Sequence, residues 1–216
     1  MGGIFNINSP FFRVMSKVFD VIVLSLLWTL CCIPVITIGP ATTALYYAIV
    51  KSIRKDRGYA TKEFFKAFKM NFKQGAIVGV LLTVFGLILT VNLSYAKSLG
   101  SSFGSFLWYV YLVLGIALLM ISLYVYPVLS RFTVTLKNLF KLSLFFSLRH
   151  ILTTVISLII VIAGALLVYL SLLLALVFVP GVCTLLVSLL MERVLRRYTP
   201  DAEGSEDTPV DAWYME

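Results

Sequence analysis

Four uninterrupted apolar runs constrain this chain more than any other feature: Gly75–Tyr95, Phe106–Val128, Ile151–Leu170 and Leu172–Met191 contain no Asp, Glu, Lys, Arg or His. Each is close to the ~20 apolar residues that a helix needs to cross the hydrocarbon core of a bilayer. The chain has 216 residues, 60% hydrophobic and 13% charged. A water-soluble fold of this size leaves a large share of its surface in solvent and could not hide so much apolar side chain. Lipid is therefore the solvent for much of it. The reading is an all-α integral membrane protein, a polytopic helical bundle of five to six membrane crossings with an interfacial amphipathic helix. It forms one membrane domain over 1–197, without room for a soluble catalytic domain. The runs 151–170 and 172–191 have almost no polar loop between them, so Tyr169, Leu170 and Ser171 must make a tight turn.

The first apolar stretch, Val18–Val50, is interrupted by Pro34 and by Gly39-Pro40. Proline removes a backbone donor and clashes with the preceding turn, so one straight helix through all of it is excluded. Two arrangements remain: a single crossing followed by a short interfacial helix, or a hairpin with arms near 18–34 and 40–53 and its tip at Pro34–Pro40. Charge favours the hairpin. If 51–73 is cytoplasmic, the four clear spans (75–95, 106–128, 151–170, 172–191) place 129–150 and the C-terminus on the same side. Lys97 is then the only basic residue opposite, provided the hairpin also brings Arg13 and Lys17 back to the cytoplasmic face. Lys and Arg near span ends set orientation in this way. Backbone at the hairpin tip needs protein or water around it, because lipid cannot satisfy bare N–H and C=O groups.

The net charge of +8 does not indicate nucleic acid, since the basic residues lie in short segments between apolar runs. Cys31, Cys32 and Cys183 sit inside apolar stretches, where they read as small buried side chains and neither a disulfide framework nor a zinc site. No cleavable signal peptide is expected, because the first apolar run ends in Cys-Cys-Ile-Pro and reads as a retained anchor. Basic, Phe-rich stretches precede each proposed hairpin, at Pro10–Arg13, Glu63–Lys66 and Leu144–Arg149. They suggest three tandem hairpins, although ordinary interfacial composition would look the same. The tail 198–216, rich in Asp and Glu, is expected to be disordered.

Outside the spans, the most structured signal is an amphipathic helix over 61–74. Phe64, Phe65, Phe68 and Phe72 share one helical face, with Lys62, Lys66, Lys69 and Lys73 largely elsewhere. Thr61 can cap its start and Glu63 suits its first turn. Such a helix should lie at the interface, rings towards acyl chains and ammonium groups towards anionic headgroups, or else dock a cytoplasmic partner. The segment 135–149 is similar but more apolar. Asp20, beside the first apolar run, is explained by pairing with Lys17 three residues earlier. Gly75 and Gly79 form a GxxxG pattern suited to close helix packing. His150 stands alone, without a carboxylate cluster. No nucleotide-binding, hydrolase or metalloprotease motif occurs, so no enzyme, metal or cofactor is expected.

The stretch Trp28–Tyr47, WTLCCIPVITIGPATTALYY, closely resembles the signature of the YesL-like family, a group defined by a domain of unknown function (number 624). Asn71-Phe-Lys-Gln74 and the amino-terminal lead-in are similar to it too. The resemblance covers most of 1–197 and is strongest over 8–75. It implies a multi-pass protein of the bacterial cytoplasmic (cell) membrane without an assigned activity. Genes of such proteins are said to lie near carbohydrate-uptake genes, including ABC transporters. It also directs attention to Pro34, Thr37, Gly39 and Pro40, which break a helix at membrane depth, as binding sites of transporters do. A simple chain reversal explains them equally. Two functional expectations follow: a non-enzymatic accessory or scaffold component contacting ABC transporter subunits, or a small transporter or channel for a neutral solute.

Overall fold

The structure, a computed structural model, describes residues 10–132, 134–170 and 172–198. Helices follow one another as α1 Pro10–Cys31, α2 Ile38–Ala48, α3 Ala60–Met70, α4 Phe72–Ser98, α5 Ser102–Arg131, α6 Leu136–Arg149, α7 Ile151–Leu170 and α8 Leu172–Leu195. A 3₁₀ turn, Val35–Thr37, leads into α2, and a π-helical stretch, Ile49–Arg54, continues it. There is no strand among the described residues. The acidic tail beyond Tyr198 and the expected turn residue Ser171 lie outside the described residues.

Among the described residues, five helices are long and apolar enough to cross a membrane: α1 from Val14, α4, α5, α7, and α8 from Leu176 through Tyr198. The spans extend a few residues beyond the apolar runs at most ends, because helix propensity continues into the flanking Ser, Lys and Arg residues. The chain is thus a polytopic helical bundle. The second arm of the first hairpin is not among the five. With 11 α-helical residues and six π-helical ones, it is shorter than a typical span.

That short arm is the centre of the molecule. Burial runs unbroken from Thr43 to Ile53, on every side of the helix, which is the mark of an element enclosed by others. Its small residues Ala41, Thr43, Ala44 and Ala48 let α1, α3, α4, α5 and α8 close around it. The spans themselves remain mostly outward-facing. Leu87 and Val91 of α4 and Val113 of α5 are well exposed, as hydrocarbon-facing side chains must be.

Proline inside α8 is accommodated by α1. Pro180 cannot donate to Leu176 O, and the Thr29 hydroxyl approaches that carbonyl to 3.5 Å. One residue on, Gly181 N donates to Ser25 Oγ at 2.9 Å. A Cβ on Gly181 would lie 2.5 Å from that same Oγ, so the two helices are fitted to each other here by the absence of a side chain.

Long-range contacts gather the basic segments at one end of the bundle. Lys17 Nζ meets Asp56 Oδ1 at 2.7 Å. Arg54 Nη1 donates to Ser188 O at 2.8 Å. Gln74 Nε2 donates to Val134 O at 2.6 Å, and His150 Nε2 lies 3.2 Å from Tyr198 OH. Lys97 sits at the other end of α4, where Gly104 packs against Ala96. The expected Lys17–Asp20 pairing gives way to Lys17–Asp56, because the hairpin returns an acid to the start of α1 across the chain.

Candidate functional site

Three features of the bundle carry more chemistry than packing alone requires: the helix break at Pro34–Pro40, the ion pairs beneath it, and the basic face of α3.

At the break, threonine side chains take up several backbone carbonyls. Thr37 Oγ1 lies 2.5 Å from Cys31 O and 2.7 Å from Pro34 O. Thr42 Oγ1 donates to Ile38 O at 2.7 Å, and Thr43 Oγ1 to Gly39 O at 3.0 Å. Helix α2 starts at Ile38, three residues earlier than a start at Ala41, since Pro40 is tolerated in a first turn that needs no donor. Gly39 lies directly on the GxxxG pair of α4. A Cβ added to it would stand 2.0 Å from Gly75 O, and one on Gly79 would stand 2.8 Å from Gly39 N. Two signals 36 residues apart in the sequence are therefore one contact. It joins backbone to backbone at the fourth and eighth residues of α4. Pro34 is exposed, Thr37 half-buried, and Gly39 and Pro40 buried.

Two buried ion pairs flank α2 towards its other end. Arg131 Nη1, on a fully buried side chain, meets Glu192 Oε2 at 3.1 Å, joining α5 to α8. Tyr46 OH donates to the other carboxylate oxygen, Oε1, at 3.0 Å. On the opposite flank Lys51 Nζ meets Glu63 Oε2 at 2.9 Å and lies 3.3 Å from Tyr47 OH, joining the end of α2 to α3. In the sequence Lys51 and Arg131 read only as basic residues flanking spans, and no motif singles out Glu192. The available signal was sign: Glu192 is the one acid in a basic flank, 191–197, and Glu63 is the one acid of its helix. Buried charges of this kind need partners.

Helix α3 turns its phenyl rings differently from the sequence expectation. Phe64 is fully buried against α1 and α2, and Phe68 packs half-buried beside it. Phe65 and Phe72 are each 42% exposed. The reason is that α3 covers α2, so the side carrying Phe64, Ala67 and Glu63 becomes core. The outward side of α3 holds Lys62, Lys66 and Lys69 together with Phe65, while Phe72 and Lys73, expected on the same helix, open α4 beyond the break at Asn71. The helix starts at Ala60 with Tyr59 before it, and Thr61 makes no side-chain cap. It ends at Met70, and Asn71 separates it from α4.

His150 marks the junction of α6 and α7, which stay separate helices. Burial first, then Arg197 and Arg149, hold its imidazole below the usual 6.5, so the ring beside Tyr198 OH is neutral at pH 7.

The fold and this arrangement define a polytopic α-helical membrane protein with a short, ion-paired central helix. Residues 21–93 match the family model described as "Protein of unknown function, DUF624", which shows the YesL-like resemblance over the hairpin, α3 and most of α4. No curated protein and no solved structure matches the chain.

Proposed function

We propose that this protein is a non-enzymatic accessory or scaffold component of a bacterial cell membrane, assembling with a carbohydrate-uptake system of the ABC type through the outward face of α3. The observation that carries this reading is the closure of the helix break. Gly39 and Pro40 lie on Gly75 and Gly79 with no room for a Cβ. A segment packed so tightly offers no solute passage, whereas discontinuous helices in transporters line a cavity. The buried charges nearby are committed to one another, which further supports a structural use. What α3 and the first residues of α4 leave outside is four lysines and two phenyl rings, a surface suited to an acidic partner.

Orientation belongs to the same reading. With the basic end of the bundle in the cytoplasm, both ends of the 1–197 domain face inward and Lys97 faces out, in keeping with positive-inside asymmetry. Anionic lipid headgroups would neutralise whatever part of the lysine face a partner leaves open.

The test is site-specific photocrosslinking in the native membrane, with a photoreactive phenylalanine at Phe65 or at Phe72. Recovery of transporter subunits at these positions, and their loss on converting Lys62, Lys66, Lys69 and Lys73 to Gln, supports the proposal. Adducts to lipid alone overturn it. The second reading, a facilitator for a neutral solute, is favoured by an open cavity that includes Thr42. It predicts flux in proteoliposomes.

A further inference from the structure

Beside α2, on the side away from α3, lies a two-part cavity. The larger part, about 370 Å³, runs between α1, α2, α7 and α8. The smaller, about 210 Å³, continues between α2, α5, α7 and α8. Thr42, Val161, Cys183 and Thr184 line both parts, so the two adjoin. The larger falls within the range of small-molecule sites. Neither is fully enclosed.

The walls have hydroxyl groups but few protons to offer. Thr42 Oγ1 donates to Ile38 O at 2.7 Å and accepts from Trp28 Nε1 at 3.2 Å. Thr184 Oγ1 donates to Pro180 O at 2.7 Å, and Ser122 Oγ to Leu119 O at 2.8 Å. Tyr46 OH is spent on Glu192. Only Tyr126 keeps a hydroxyl without a hydrogen-bond partner among the described residues. A sugar or other polyol placed here would lose most of its hydrogen bonds to water and regain only a few, chiefly by donating to the Thr184, Ser122 and Tyr126 oxygens. The remaining lining includes Leu45, Val161, Ala165, Val168, Leu176 and Val179, all but Leu45 from helices able to span the bilayer. The medium at the cavity's open side is therefore hydrocarbon.

We infer that this cavity is a seat for one acyl chain of a membrane phospholipid, inserted sideways between α7 and α2. Its floor is built for close approach. A Cβ on Gly164 would stand 2.5 Å from Cys183 Sγ, so α7 lies tight on α8 there and stands off from α2 above. An extended chain matches the shape of two adjoining compartments and asks for no donor along its length. The Tyr126 hydroxyl gives one polar point for an ester carbonyl. Such a chain fills space that would otherwise leave α2 unsupported on this flank, since an empty apolar cavity forfeits packing contacts. This seat is independent of any partner at α3, which lies on the other side of α2. It also bears on the facilitator reading, because a cavity whose one free donor is Tyr126 is poorly suited to sugars.

The experiment uses the full-length protein in nanodiscs containing phosphatidylglycerol with a diazirine near the middle of one acyl chain. Adducts are mapped by peptide mass spectrometry after irradiation. Adducts concentrated on Val161, Val168 and Cys183, above those on the outward-facing Val91 of α4, are expected. They should fall several-fold in Ala165→Trp, whose indole occupies the larger part, while labelling of Val91 stays unchanged. Adducts spread evenly over cavity and outer surface in the wild type overturn the assignment without recourse to any variant. So does labelling of the cavity that survives Ala165→Trp in a folded, monodisperse protein.

Discussion

At the scale of single residues, the contact between Gly39 and Gly75 is the least forgiving point in the molecule. The atom that a Gly39 Cβ would strike, Gly75 O at 2.0 Å, is backbone, so no rotamer change can relieve the collision. We expect Gly39→Ala to destabilise the protein by about 3 kcal/mol or to prevent folding, at the upper end of what overpacking costs. Gly115→Ala, where a Cβ meets nothing within 4 Å, should stay within about 0.5 kcal/mol of wild type. Thermal unfolding in detergent, followed by size-exclusion fluorescence, separates the two. Equal stability of both variants would show that the break is not held by this contact. The ion pair Arg131–Glu192 is a different kind of constraint. Removing one partner leaves a buried charge, and such losses reach about 3–5 kcal/mol, although apolar replacement of both can be neutral. It therefore fixes which helices meet more than how stably they do so.

At the scale of elements, α3 shows what sequence periodicity can and cannot tell. The spacing of Phe64, Phe65, Phe68 and Phe72 announced one helix with a ring-bearing side; α3 carries the first three rings, and the break at Asn71 puts Phe72 at the start of α4. Which medium meets that side depends on α2, whose own role is set by a tertiary arrangement. Periodicity cannot distinguish a lipid-facing ring from one facing a neighbouring helix, since both are apolar surroundings. The structure divides the four rings, and that division is measurable. Phe64→Ser should cost about 3–5 kcal/mol, as large-to-small changes at fully buried aromatics do. Phe65→Ser, at an exposed position, should leave the unfolding temperature nearly unchanged. Identical behaviour of the two would contradict the packing of α3 on α2. Spans were legible to within a few residues because hydrocarbon imposes a length and excludes charge. The pairing of Gly39 with Gly75, or of Arg131 with Glu192 across 61 residues, was not. Each half is unremarkable alone, and only the fold brings them together.

At the scale of the whole molecule, the unsettled physical matter is how a chain with five long apolar helices brings both ends of its first hairpin to one side. The contacts give a specific answer. Trp28 Nε1 reaches Thr42 Oγ1 near the bend, and Lys17 reaches Asp56 at the open end. The chain thus enters along α1 and comes back to the level at which it began, with the short α2 completing the return inside the bundle instead of along lipid. This explains why α2 can be shorter than a span: Gly39 and Pro40 are sheltered by α4, so the backbone at the start of α2 is enclosed by protein, the condition under which such backbone is tolerated at depth. This arrangement predicts that positions 14 and 56 lie on one side of the membrane and position 97 on the other. In a variant with the native cysteines replaced by Ala, a membrane-impermeant maleimide applied to intact cells should label Lys97→Cys and spare both Val14→Cys and Asp56→Cys. All three should react after permeabilisation. Labelling of Val14→Cys from outside, with Asp56→Cys spared, would mean that α1 crosses without return and that the Lys17–Asp56 pair does not form in the membrane. The charge asymmetry of the sequence and the packing of the hairpin would then disagree, and the position of α2 at the centre of the bundle would have to be abandoned with them.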